Sequence, residues 1–98
     1  MTEVTSTELK EKIESGEKFL IDYYASWCGP CRMLKNILIS AESELGVPVY
    51  TYDIDSDHTF TSSSGVRSVP TLKLYEGGTE VRVKSGVMSA QQLKEFVR

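Results

Sequence analysis

Hydrophobic positions along this chain switch between helical and strand-like spacing, in an order that predicts an α/β fold. Apolar side chains four residues apart, after a capping box, predict a helix over residues 6–15. Residues 19–25 form a nearly continuous apolar and aromatic run, which is typical of a strand covered on both faces. From residue 33 to 45 the apolar positions recur every three or four residues, which predicts a second helix that ends at Gly46. Residues 47–54 predict the next strand, and this order indicates a right-handed parallel crossover.

The second half of the chain predicts a hairpin and a closing helix. Residues 55–64 are polar and rich in serine, so they allow at most a short helix. Residues 71–75 and 81–84 predict two strands joined by a Gly-Gly turn, and the alternating second strand is expected to be half-exposed near an edge. A capping box at Ser89 begins the last helix. Before the first helix, residues 3–5 leave room only for a stub of strand.

Length and charge narrow the possible functions. A chain of 98 residues fits one domain, residues 1–98, and can hold a core without metals or several disulfides. Eleven Lys and Arg against fourteen Asp and Glu give a formal net charge of -3, which argues against nucleic acid or an anionic membrane as partner. The first residues lack the basic and apolar segments of a signal peptide, and no apolar stretch approaches the ~20 residues of a membrane span. We therefore expect a cytoplasmic monomer that needs no cofactor.

The two cysteines, Cys28 and Cys31, are separated by two residues. In a reducing cytoplasm this spacing indicates redox catalysis or half of a zinc site, and the chain offers no second Cys or His pair to complete the latter. Cys28 is predicted at the N-terminal edge of a helix, where free N–H groups and the helix dipole favour a thiolate. Cys31 lies about one turn further on and can attack a mixed disulfide on Cys28. Their bond closes a loop of four residues, worth only about 2 kcal/mol, so it forms and breaks readily.

A carboxylate, Asp22, lies within the apolar run of the first central strand. Burial disfavours a charged carboxylate, so the pKa of Asp22 is expected to be raised. If this strand leads into the cysteine loop, Asp22 and Tyr24 share one face, which is then the face that carries the second helix. Asp22 is therefore a candidate acceptor for the Cys31 proton. The residues alone leave open that it is a satisfied structural carboxylate.

Residues 21–33 (Ile-Asp-Tyr-Tyr-Ala-Ser-Trp-Cys-Gly-Pro-Cys-Arg-Met) resemble the active-site stretch of thioredoxins. Residues 68–71 (Ser-Val-Pro-Thr) are similar to the second motif of that family, and residues 86–96 to its last turn and helix. The resemblance implies a thioredoxin fold, with a central mixed β-sheet of four to five strands flanked by about four helices. It also implies a redox-active disulfide between Cys28 and Cys31, client proteins that carry disulfides, and re-reduction by a thioredoxin reductase.

The same resemblance implies a surface that grips the substrate polypeptide. Pro70 is expected to be cis and to lie against the cysteine pair, and the backbone of Val69 is expected to pair with an extended client, as in strand addition. The residues that map onto this surface are Trp27, Gly29, Pro30, Val69, Pro70 and Gly86.

Three positions depart from the family pattern. Tyr24 stands where thioredoxins often have Trp, Asn36 where a Pro is usual, and Thr51 where a Lys often accompanies the buried Asp. Without that Lys, the pKa of Asp22 is expected to rise further unless another cation replaces it.

Two other functions remain open beside a general protein-disulfide reductase. One is a glutaredoxin-like enzyme served by glutathione. The other is a docking subunit that uses the surface around Trp27, Pro70 and Gly86, with redox turnover incidental. No metal is expected: the acidic run at residues 53–57 lacks the Gly and the terminal Glu of a calcium loop, and His58 is predicted to be a solvated surface residue.

Overall fold

Nine elements follow one another along the chain in the computed structural model, which describes all 98 residues. They are β1 Thr2–Glu3, α1 Ser6–Ser15, β2 Phe19–Tyr24, α2 Gly29–Leu45, β3 Val49–Asp53, α3 His58–Ser64, β4 Thr71–Glu76, β5 Thr79–Ser85 and α4 Ala90–Phe96. The first helix, the short third helix and the capped last helix lie where the sequence predicts them. None of the four helices combines the length and the apolar character needed to cross a membrane.

The five strands form one mixed sheet in the order β1-β3-β2-β4-β5. β3 runs parallel to both β1 and β2, whereas β4 is antiparallel to β2 and to β5. The prediction of a mixed sheet is therefore confirmed. A stub of strand is also present at the edge of the sheet, at Thr2–Glu3 and not at residues 3–5. Several strand ends differ from the predicted bounds by one or two residues. β3 begins only at Val49, because Pro48 has no N–H to donate to the ladder, and β5 extends from Thr79 to Ser85.

The exposure of β5 also differs from the half-exposed strand that alternation predicts. All seven of its residues are exposed. The reason is its place at the end of the sheet, where none of its side chains enters either of the main core clusters.

Alternation along β2 divides the core into two layers. Leu20 packs with Leu34 and Leu38 of α2 and with Leu93 of α4. On the opposite face, Phe19, Ile21 and Tyr23 pack with side chains that include Leu9 of α1 and Tyr52 of β3. Asp22, two residues beyond Leu20, therefore faces α2, as the alternation of the sequence predicts.

A buried lysine ties the end of α3 to the sheet. Lys73 of β4 is 4% exposed, and its Nζ lies 2.7 Å from a carboxylate oxygen of Glu80 on β5. The same Nζ donates a hydrogen bond of 2.6 Å to the carbonyl of Ser64 and lies 5.3 Å from the centre of the Tyr23 ring. These contacts supply the partners that a buried ammonium requires.

Candidate active site

Cys28 is the N-cap residue of α2, and Cys31 lies in the first turn of the same helix. The two are joined by a disulfide with a Cα–Cα distance of 5.2 Å, and they are only 5% and 3% exposed. The backbone N–H of Cys31 donates to Cys28 Sγ at 3.1 Å. In the reduced protein, this N–H and the positive end of the helix stabilise negative charge on Cys28.

Gly29 and Pro30 begin α2 between the two cysteines. Proline suits the first turn of a helix, because the N–H that it lacks has no partner there in any case. Both residues are exposed, so the helix presents its first turn to solvent beside the disulfide.

The loop before β4 forms the other wall of the site. The Val69–Pro70 peptide bond is cis, which confirms the expectation drawn from the resemblance. The Val69 carbonyl oxygen lies 3.7 Å from Cys28 Sγ, and the half-buried Val69 side chain packs against the cluster of Ala25, Cys28 and Cys31. The carbonyl of Pro70 accepts a 2.9 Å hydrogen bond from the N–H of Gly86, which connects this loop to the end of β5.

The backbone of Val69 is not paired with any other backbone group of the protein. Neither its N–H nor its C=O takes part in a backbone hydrogen bond within the protein. An extended polypeptide laid across this loop can therefore pair with both groups.

Gly86, at φ 96°, lies in the region that favours glycine, and a Cβ added there would meet no atom within 4 Å. The backbone conformation, and not crowding, therefore accounts for glycine at this position.

Trp27 presents a large apolar surface next to the disulfide. Its side chain is 67% exposed, and its Nε1 donates a hydrogen bond of 3.0 Å to Asp55 Oδ2. Met33 and Val87 are also exposed hydrophobic residues, 59% and 36% respectively. Exposed apolar side chains beside a reactive centre are typical of a surface that binds other molecules.

Asp22 is the one carboxyl side chain that the fold buries, with 1% of its surface exposed. Its Oδ1 has no hydrogen-bond partner in the protein. Burial raises the pKa of Asp22 to about 7, and the nearby charge of Lys35 opposes this rise. The expected direction of the shift is confirmed. The structure also shows that Lys35 supplies a positive charge although Thr51 stands where the family often has Lys.

A cavity of about 160 Å³ adjoins this carboxyl group. It is lined by Met1, Glu3, Asp22, Tyr24, Lys35 and Thr51. The hydroxyl of Tyr24 donates to a carboxylate oxygen of Glu3 at its rim. Asp22 thus lies at the inner end of a polar opening under α2.

Sequence reasoning missed two residues of the site. Asp55 belongs to the acidic run at residues 53–57, to which we gave no function. It accepts the hydrogen bond of Trp27, because the parallel strands β2 and β3 end at the same edge of the sheet. Lys35 lies four residues after Cys31 and therefore on the same side of α2. Helical spacing alone would have selected it as a neighbour of the site. His58 is exposed, and its ring lies 3.9 Å from Asp55.

Known proteins resemble this chain over almost all of its length. The sequence model of the Thioredoxin family matches residues 1–98. A thioredoxin of Rickettsia felis is 37% identical over 90 residues, which are 90% of this chain and 86% of that protein. A thioredoxin of Alicyclobacillus acidocaldarius is 34% identical over 93 residues, 93% of this chain and 89% of that one. Among solved structures, a mutant thioredoxin from Halobacterium salinarum NRC-1 matches with a TM-score of 0.85 at 31% identity, over 98% of this chain and 88% of the other.

The mixed sheet, with a disulfide where α2 begins, defines a thiol–disulfide oxidoreductase. The family match and the sequence identities above assign the chain to one family within this class. The chain belongs to the thioredoxin family, and its activity is the reduction of protein disulfides through the Cys28–Cys31 pair. The resemblance inferred from the sequence is confirmed.

Proposed function

We propose that Cys28 is the attacking thiolate and Cys31 the resolving thiol of a two-step reduction. In the first step the Cys28 thiolate attacks a client disulfide, a mixed disulfide forms, and one client thiolate leaves. In the second step Cys31 attacks Cys28 Sγ, the bond to the client breaks, and the second client thiolate leaves. The client gains two electrons, and the protein ends with the Cys28–Cys31 disulfide.

The N-cap position of Cys28 is the observation that supports this assignment best. Its sulfur accepts the Cys31 N–H, lies 3.7 Å from the Val69 carbonyl and adjoins the exposed first turn of α2. Cys31 lies deeper in the helix. A client can therefore reach Cys28 first, and Cys31 is placed to displace it.

Asp22 is proposed as the acceptor of the Cys31 proton. It lies on the face of β2 that α2 covers, its Oδ1 has no other partner, and its pKa of about 7 suits a base that works near neutral pH. A carboxyl group with an ordinary pKa would be a weaker proton acceptor at that pH.

The substrate surface is proposed to comprise Trp27, Gly29, Pro30, Val69, Pro70 and Gly86. The free backbone groups of Val69 support pairing with an extended client, and the exposed Trp27 supports an apolar contact beside it. We further propose that residues 1–98 act as one monomeric domain in the cytoplasm, with a thioredoxin reductase as electron donor.

Insulin disulfide reduction, with dithiothreitol as electron donor, tests the assignment. We expect Cys28→Ser to lose turnover and to form no complex with the client. Cys31→Ser is expected to lose turnover as well. When this variant is first reduced, then freed of dithiothreitol and mixed with insulin, it should accumulate a mixed disulfide at Cys28, visible by non-reducing electrophoresis and mass spectrometry. Ser62→Ala, an exposed change on α3, is the control. Equal trapping by both cysteine variants would contradict the assigned roles.

The electron donor and the docking alternative need separate measurements. Recycling by a flavoprotein reductase but not by glutathione is the expected result, and efficient recycling by glutathione alone would favour the glutaredoxin-like alternative. If a variant with both cysteines replaced by Ser keeps the cellular function, the chain acts as a docking subunit and the reductase role is incidental.

A further inference from the structure

The cavity beside Asp22 is lined by a lysine side chain to which the two-step reduction assigns no role. Lys35 lies on α2, one helical turn after Cys31, and lines the cavity together with Asp22. No carboxylate lies within 4 Å of its ammonium group, so the lysine is not engaged in an ion pair elsewhere.

The other charged groups around the cavity have partners of their own. Glu3 on β1 accepts the hydrogen bond of the Tyr24 hydroxyl on β2. The α-amino group of Met1 lies 2.9 Å from a carboxylate oxygen of Glu42 on α2. Thr51, the lining residue from β3, carries no charge. Lys35 is therefore the one side-chain cation that faces Asp22 across this cavity.

We propose that Lys35 is a positioning residue for Asp22: its ammonium favours the carboxylate form and so keeps Asp22 able to accept a proton from Cys31. The inference rests on the proposed function, in which Asp22 is that acceptor. In the step concerned, the proton passes from Cys31 Sγ to the Asp22 carboxylate. The sulfur's electron pair forms the bond to Cys28 Sγ, and the departing client thiolate takes the electrons of the broken disulfide.

Electrostatics gives this role a physical basis. Burial alone penalises the carboxylate, and the charge of Lys35 is what lowers the pKa of Asp22 against that penalty. The lysine is exposed, so part of its charge is screened by solvent. We therefore expect Lys35 to lower the pKa of Asp22 moderately, and we expect this effect to require a positive charge at position 35.

The test uses the oxidised protein, in which the two cysteines do not titrate. The Asp22 carboxyl carbon is followed by NMR as a function of pH in the parent, Lys35→Met, Lys35→Arg and Lys18→Met. Lys18 is a matched control, because it precedes β2 and lies at the end of that strand away from the cysteines. In Lys35→Met we expect the Asp22 midpoint to rise by roughly half a pH unit, the scale of a charge pair with an exposed member. Lys35→Arg and Lys18→Met should titrate like the parent.

Kinetics of the reduced protein link this shift to the reaction. The rate at which Cys31 resolves the mixed disulfide should show the same upward displacement of its pH profile in Lys35→Met, and Lys35→Arg should restore the parent profile. The proposal is overturned if the Asp22 midpoint is the same in Lys35→Met and Lys18→Met, or if the midpoint moves and the resolution profile does not. A resolution rate that Asp22→Asn leaves intact is a different failure, because it removes the base role itself.

Discussion

Replacing Asp22 with asparagine removes a carboxylate whose charged form is destabilised by burial. Burial raises the pKa of this carboxyl group from its ordinary value of 3.8 to about 7. A difference of roughly three pKa units, at about 1.4 kcal/mol each, corresponds to ~4 kcal/mol of folding free energy. Asparagine has a similar shape and no charge. We therefore expect Asp22→Asn to be more stable than the parent at pH 8 by up to ~4 kcal/mol.

The sign of the pH dependence follows from proton uptake. Between pH values of about 4 and about 7 the folded protein holds a proton on Asp22 that the unfolded chain has released. The contribution of this group to stability is thus fully present below the unfolded pKa, falls as the pH rises through this window, and is constant above the folded pKa. Asp22→Asn has no such loss, so its advantage over the parent should grow from about pH 4 to about pH 7 and then level off.

Urea denaturation of the oxidised parent and of Asp22→Asn at several pH values measures this difference directly. Asp57→Ala serves as a control of opposite sign, because the hydrogen bond from Ser6 lowers the pKa of Asp57. The contribution of Asp57 is present above its unfolded pKa and lost as the pH falls, so this variant should be less stable than the parent at neutral pH and approach it in acid. The reasoning is refuted if the advantage of Asp22→Asn is the same at pH 4 and pH 8, or if that variant is the less stable one at pH 8.

Three further predictions concern the packing, the buried cation and a helix cap. Leu34→Ala, at a fully buried position of α2, should lower the free energy of unfolding by ~2–5 kcal/mol in urea, and a loss under about 1 kcal/mol would mean that the cavity collapses. Glu80→Gln removes the carboxylate beside Lys73 and should lower the free energy of unfolding by about 1–3 kcal/mol. The loss is smaller than for a fully buried pair because Glu80 is partly exposed. Lys73→Met in the same chain should recover part of this loss, and no recovery would contradict the ion-pair explanation. Thr5→Ala removes the capping box of α1 and should lower the thermal midpoint by an amount equivalent to about 1 kcal/mol, whereas an unchanged midpoint would show that the cap contributes nothing.

Local signals explain why much of the fold could be predicted from the sequence. The capping boxes at Thr5 and Ser89 and the glycine after each of the first three helices are interactions within a few residues, and they set helix ends closely. The position of Cys28 at a helix N-terminus follows from the apolar stripe that comes after it. Asp22 stood out because a carboxylate is costly in a run that is otherwise apolar.

Features that depend on contacts between distant segments could not be obtained in this way. The cis bond before Pro70 came from the family resemblance, since residue type alone does not select the isomer. The bond from Trp27 to Asp55 depends on two strands ending together, and the cavity that Lys35 shares with Asp22 depends on how α2 packs on the sheet. The alternating pattern of β5 predicts a strand near an edge, as observed, but it does not show that both faces of this strand are exposed.

The place of β5 at the edge of the sheet has a consequence for self-association. An edge strand offers free backbone groups to any neighbouring chain, and β5 is exposed along its whole length with Val81 and Val83 among its residues. Glu80, Arg82 and Lys84 alternate with these valines, and the pairing of β4 with β5 shifts register between Leu74 and Tyr75. Charges and irregular pairing of this kind oppose the hydrogen-bonded pairing of β5 with the edge strand of another molecule, and so they reduce the tendency of this edge to aggregate.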